Sequence, residues 1–262
     1  MAELEGLRVV LVATRNPLNL GAAARAMSNF GCAHLRVVNP YEAAFREARS
    51  AVGAGELLAR AEEYQSVAEA VADCALVVGT TAVRRRELLH PLKNLEDGAR
   101  LIRKRLGKPG ARNAMPASRV ALLFGSEKTG LSNQALSHCH WLMRIPTSEQ
   151  NISMNLGQAV AVCLYELARG GKTGGHGASR HEVSDGGAKK VQPAGAGEVE
   201  RFTAMLLDAL RASGYIQPRA SAVTEEKVRR LVRRLNLPAG DTEVWLGMLR
   251  QMVWKLRRED QA

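Results

Sequence analysis

The feature that most constrains this chain is a set of short runs that stay apolar over consecutive positions. RVVLVAT (8–14), HLRVVNP (34–40), CALVVGT (74–80), RVALLFGSE (119–127) and WLMRIP (141–146) each read as a strand covered on both faces. Helical patterns separate them: LGAAARAMSNFG (20–31), 42–49, 53–60, 66–72, a basic helix over 94–106, a short helix near 132–137, and 153–169. In the last of these, apolar positions 156, 160, 163, 164 and 167 recur at helical spacing. Strands alternating with helices predict an α/β fold on a mainly parallel sheet covered by helices on both faces.

The pattern breaks at GGKTGGHGASRHEVSDGGAKKVQPAGAG (170–197), rich in Gly and Ser and poor in large apolar residues, which predicts a flexible linker. Three helical segments follow, at about 198–213, 223–236 and 241–258. The expected organisation is therefore an α/β domain over 1–169, a linker over 170–197 and a helical C-terminal extension over 198–262. In TEEKVRRLVRRLNL, apolar residues 228, 231, 232 and 235 share one face and Arg229, Arg230, Arg233 and Arg234 fall opposite. That face is either a solvated basic side or a second contact for nucleic acid or for another subunit.

Charge narrows the partner. The chain carries a net charge of +11, which favours a polyanion, nucleic acid first. The excess is concentrated between Arg84 and Arg119, where eleven Lys/Arg face three Asp/Glu. Arg84, Arg85 and Arg86 lead this block, which predicts a phosphate-facing surface. Aromatics are 4% of residues, too few for a base-stacking platform. No apolar run reaches the ~18 residues of a membrane span, and the N-terminus lacks a secretory pattern, so a cytoplasmic protein is expected. The four cysteines, at 32, 74, 139 and 163, form no CxxC pair. His138–Cys139–His140 is the one His/Cys cluster, with no second cluster to complete a tetrahedral set, so no metal is expected.

Three loops carry the chemistry, each after a strand. TRNPLNLGAAAR gives N-x-G-x-x-x-R at Asn19, Gly21 and Arg25, and is neither a dinucleotide fingerprint nor a P-loop. Alone it reads as an Asn cap, with Gly21 opening the helix and Arg25 on its surface. FGSEKTGLS (124–132) sets Glu127 between Gly125 and Gly130. IPTSEQNISMNLG (145–157) is long for its kind, at the place where open α/β sheets hold ligands. In it Ser153 and Asn155 read alone as helix caps.

Taken together and in order, with VVGTTA at 77–82, these motifs resemble the TrmH-like branch of the SPOUT RNA methyltransferases over residues 7–169. The tail, ERFTAMLLDALRASGYI, KVRRLVRRLNL and VWLGMLRQM, resembles the C-terminal extension of the TrmJ-type tRNA 2′-O-methyltransferases. The resemblance implies a C-terminal deep trefoil knot, S-adenosyl-L-methionine bent into it, and a homodimer acting on tRNA at the ribose of nucleotide 32 in the anticodon loop. Thr80, Thr81, Ala82, Gly125, Ile145, Ile152, Ser153 and Met154 would line the cofactor pocket. Arg25, Ser153, Asn19, Glu127 and Asn155 would form the catalytic set, with Arg25 and Arg84–Arg86 on the RNA. Within that set Arg25 would orient the ribose, Ser153 would hold the nucleophile, and Asn19, Glu127 and Asn155 would brace the loops. Val83 stands where the pattern expects an Arg, which falls at Arg84 instead. A ribosomal RNA substrate, or a non-catalytic RNA-binding factor on the same scaffold, are the competing expectations.

Overall fold

The computed structural model describes residues 4–41, 55–82, 89–107, 119–169, 192–217 and 221–259. The expected helix at 42–49 and the arginines Arg84, Arg85 and Arg86 lie outside the described residues. In chain order the elements are β1 (Leu7–Val12), α1 (Pro17–Asn29), β2 (Leu35–Val38), α2 (Gly55–Ala59), β3 (Glu62–Tyr64), α3 (Val67–Ala70), β4 (Leu76–Thr80) and β5 (Leu92–Asn94). They continue with α4 (Leu95–Leu106), β6 (Val120–Phe124), α5 (Asn133–Ser137), β7 (Trp141–Arg144), α6 (Leu156–Arg169), α7 (Ala196–Ala212), α8 (Ser221–Arg234) and α9 (Ala239–Glu259).

The seven strands form one sheet in the order β3-β2-β1-β6-β4-β7-β5, with every pairing parallel. Strand β6 sits between β1 and β4, with Leu122 beside Val9 on one side and Val78 on the other. Parallel strands share one carboxyl edge, so the loops after β1, β4, β6 and β7 all emerge there. Alternate residues face opposite layers. Val9, Leu11, Val78, Leu122, Phe124 and Met143 pack under α1, α4 and α6. Val10, Val77, Ala121, Leu123 and Leu142 pack under α3 and α5, with Ala196 from the start of α7. Burying strands on both faces is what made them readable as continuous apolar runs.

The two edge strands carry no such signal. Glu62-Glu63-Tyr64 and Leu92-Lys93-Asn94 are three residues each, polar and partly exposed, and the apolar pattern misses both. An ion-pair cluster around the buried Arg36 secures the β3 side. Arg36 on β2 forks onto Asp73 at 2.6 and 2.9 Å and reaches Glu62 at 3.2 Å. The hydrogen bonds from Arg36 hold the Asp73 carboxyl well below the usual range.

The tail helices build their own apolar cluster around Phe202, Leu207, Val228, Val232, Leu249 and Val253. They also dock on the second face of the sheet. Ala196 N–H donates to Cys74 O and Gly197 N–H to Ala72 O, both at 2.8 Å. Two expectations are corrected here. Residues 192–197, assigned to the linker, are part of this docking: Ala194 N–H donates to Leu237 O at 2.8 Å, and helix α7 starts at Ala196. The arginine face of α8 is also not a solvated side. Arg230 and Arg233 are buried, and Arg229 and Arg233 reach Glu200 at 3.1 and 3.3 Å. Leu231 and Leu235, placed on the inner face by spacing, are exposed.

Candidate active site

Helix α1 begins earlier than its apolar pattern. Asn16 is the N-cap, accepting from Leu18 N–H at 2.9 Å, and Pro17 takes the first turn, where its missing N–H costs nothing. This corrects the reading of Asn19 as the cap and of Gly21 as the helix start. Asn19 lies in the first turn, buried, with its side chain released for tertiary contact.

That contact joins all three loops. Asn155 Nδ2 donates to Asn19 Oδ1 at 2.7 Å, and Asn19 Nδ2 donates to Glu127 Oε1 at 3.0 Å. Asn155 Oδ1 in turn accepts from Gly157 N–H at 2.9 Å, which makes Asn155 the cap of α6. Each amide therefore uses its donor and its acceptor ends, which fixes the orientation of both side chains. Gly157 lets α1 and α6 meet, because a Cβ there would lie 2.6 Å from the Ala22 Cβ. Ser153 is not a cap: α6 starts at Leu156, and Ser153 lies in the loop before it.

Below this brace is a cleft of about 220 Å³ between the loops. Every residue expected to hold a cofactor lines it: Thr80, Thr81, Ala82, Gly125, Ile145, Ile152, Ser153 and Met154. Its floor is pinned by Thr80 Oγ1–H to Leu123 O at 2.9 Å and by Thr81 N–H to Met143 O at 3.0 Å. The loop after β6 folds back on itself, with Gly130 N–H donating to Ser126 O at 2.8 Å. It passes so close that a Cβ on Gly125 would sit 2.0 Å from the Gly130 carbonyl carbon. Only glycine fits there.

The lining suits a nucleoside-bearing cation with an amino-acid tail. Leu131, Met143, Ile145, Ile152 and Leu156 supply apolar surface for a flat ring, and Thr81, Thr129, Thr147, Glu127 and Lys128 supply polar and charged groups beside it. Lys128, Thr129, Ser126 and Thr147 were not singled out from the sequence, although three of them lie inside the quoted glycine loop. Leu136 and Ala159 also line the cleft but sit in helices with no signal to mark them.

Arg25 is not gathered into this cleft. It is exposed on α1 and outside the cleft lining, and it has no partner among the described residues. The His/Cys cluster does not converge either. His140 Nδ1 accepts from Val77 N–H at 3.0 Å, and burial pushes its pKa down to about 3. Burial also raises the Cys139 thiol to about 12, and His138 makes a long 3.5 Å contact with Glu200. Among the described residues no group of His, Cys, Asp or Glu could hold a metal ion.

Known proteins are similar to this chain over most of its length. The tRNA (cytidine/uridine-2′-O-)-methyltransferase TrmJ of Sodalis glossinidius is 33% identical over 248 residues, covering 94% of this chain and 91% of its own. The protein of that name from Escherichia coli strain K12 is 31% identical over 248 residues, with 94% of each chain covered. Among solved structures, TrmJ from Z. mobilis ZM4 superposes with a TM-score of 0.73 at 28% identity, covering 94% of this chain and 98% of that one. Residues 6–165, which hold the sheet, the cleft and all three loops, match the SpoU rRNA methylase family, and this chain belongs to it.

Proposed function

We propose that this chain transfers a methyl group from S-adenosyl-L-methionine to a ribose 2′-hydroxyl of tRNA, at nucleotide 32 of the anticodon loop. The observation that carries the reading is the single cleft that collects all eight expected cofactor residues beneath a hydrogen-bonded Glu127–Asn19–Asn155 brace. The tRNA relatives match over 94% of the chain, tail included, whereas the match to the rRNA methylase family ends at residue 165. That difference favours tRNA over a ribosomal substrate. An RNA-binding factor without activity would have no need of the cleft and brace intact.

The cofactor, when bound, supplies an electrophilic methyl group on a sulfonium. The chain has to hold a ribose hydroxyl in line with it and exclude other poses. Ser153 sits in the cleft wall, where its hydroxyl accepts a hydrogen bond from the 2′-OH and aims the oxygen lone pair, and the proton released as the C–O bond forms passes to solvent. Arg25 carries a planar guanidinium fork, which clamps a phosphodiester and orients the attached ribose. Asn19, Glu127 and Asn155 act by holding the loops at fixed spacing.

The homodimer belongs to the same reading. Arg25 stands outside the cleft of its own chain, and the α1 and α6 pair exposes Leu18 and Tyr165 at 78% and 54%. A second copy covering this surface brings Arg25 to the neighbouring cleft. The reading also takes the segment after β7 as threaded into a deep trefoil knot, with 1–169 as the catalytic domain and the tail beyond the linker as a helical domain. Calorimetric titration with S-adenosyl-L-methionine tests the function: one site per chain is expected, and absence of binding overturns it.

A further inference from the structure

Two hollows outside the cofactor cleft join along the β5 edge of the sheet. The deeper one lies between α4, the start of β7 and α8, and no carboxylate is found among its described lining residues. Lys93, Lys104 and Arg105 line it, with Arg233 at its back. The shallower one shares Lys93, Leu101 and Lys104 with it and continues to Arg144. Its one carboxylate, Asp97, is paired with Arg100 on the same helix.

Two of these guanidinium groups hold buried donors that no described group satisfies: Nε of Arg105, and Nε and Nη1 of Arg233, a residue only 3% exposed. Buried donors are almost always paired, and an anion entering the hollow supplies the missing acceptor. The channel and the cleft meet the chain at neighbouring positions of β7. Arg144 lies between Met143 and Ile145, both of which line the cleft, and its Nε donates to Asn94 Oδ1 at 2.9 Å, which ties it to β5. Trp141, the one aromatic in the lining, is buried and sits 5.9 Å from the Lys93 ammonium, so no ring is offered for base stacking.

We propose that this channel is a second RNA site, one that grips phosphodiesters of the substrate strand away from the methylated nucleotide. The proposal rests on RNA being the substrate. Ammonium and guanidinium groups spread along an edge, with one carboxylate already paired and no exposed stacking ring, suit a backbone and read no sequence. The site supplies affinity and leaves the chemistry to the cleft.

The test is the triple variant K93Q/K104Q/R144Q of the full chain, measured against unmodified tRNA over a salt series. Tenfold or greater weakening of tRNA binding is expected, with the slope of log K against log salt reduced by about 2. Cofactor affinity by calorimetry and kcat at saturating tRNA should stay at wild-type values. Unchanged tRNA affinity and slope in a variant with wild-type Tm overturns the channel, as does weakening seen for inorganic phosphate alone. Should the triple variant fail to fold, K104Q by itself should lower the slope by about 0.7 to 0.9, and no change overturns the proposal. A wild-type chain that binds tRNA but transfers no methyl group refutes the proposed function, while the comparison of binding still decides the channel.

Discussion

Arg25 is the residue on which the proposed chemistry depends. Replacing it with Ala should lower kcat/KM for tRNA by about 10²-fold or more, because a mispositioned ribose forfeits the gain from orientation. Cofactor affinity should be unchanged, since the role given to Arg25 is to hold the RNA and none of the cofactor-lining residues is Arg25. Arg25→Lys keeps the charge but not the planar fork, and should recover only part of the rate. Single-turnover kinetics with a parallel calorimetric titration reads both quantities, and wild-type transfer by Arg25→Ala would refute the role. A second residue-scale prediction concerns the brace. Asn155→Ala removes the cap of α6 and the link to Asn19, and should cost about 1 kcal/mol of stability, read by thermal unfolding. The identities of these residues were legible from motif order, because loops after parallel strands gather at one edge. Their division of labour was not. Asn19 reads as a cap until Pro17 places the helix start at Asn16, and Ser153 reads as a cap until Asn155 takes that place.

At the scale of elements, the tail helices are held to the sheet layer by polar contacts that spacing could not foretell. Glu200 on α7 meets Arg229 and Arg233 of α8 and approaches His138 after α5. Burial pushes its pKa up, but the contact with His138 and the charges of Arg229 and Arg233 outweigh burial and bring it down to about 2. Glu200→Ala would leave Arg233 buried without its carboxylate and should cost about 2 kcal/mol, measured by denaturant unfolding. The same groups predict acid lability. The unfolded chain binds protons at Glu200 and His140 more readily than the folded one, so stability is fully present above about pH 6.5 and falls on acidification. Between pH 6 and 4, His140 alone contributes a slope of about 1 kcal/mol per pH unit. Tm measured over that range should fall, and His140→Asn should flatten the slope. The long buried strands and the apolar helices were legible because continuous burial writes itself into the sequence. The edge strands β3 and β5 were not, and neither was the inward turn of Arg230 and Arg233, since an arginine buried by pairing looks on a helical wheel like one that faces water.

For the whole molecule, the homodimer proposed above would hold two sites, each completed by Arg25 of the other copy. Mixing Arg25→Ala with a variant whose cleft is blocked, such as Ile152→Trp in the cleft-lining loop, tests this directly. In mixed dimers the wild-type cleft of one chain meets the wild-type arginine of the other, so about a quarter of wild-type activity should return from two inactive parents. No recovery, in a mixture shown to exchange subunits, would place Arg25 and its cleft in one chain. The net charge of +11 and the basic channel fit a polyanionic substrate at this scale, with the cleft deciding the chemistry and the surface supplying the hold. The measurement that bears most directly on the account is methyl transfer from labelled S-adenosyl-L-methionine to unmodified tRNA, with the product mapped to the nucleotide. The account predicts one 2′-O-methyl ribose at nucleotide 32, absent when Arg25 is Ala; label on a base, on ribosomal RNA only, or on no RNA would contradict it.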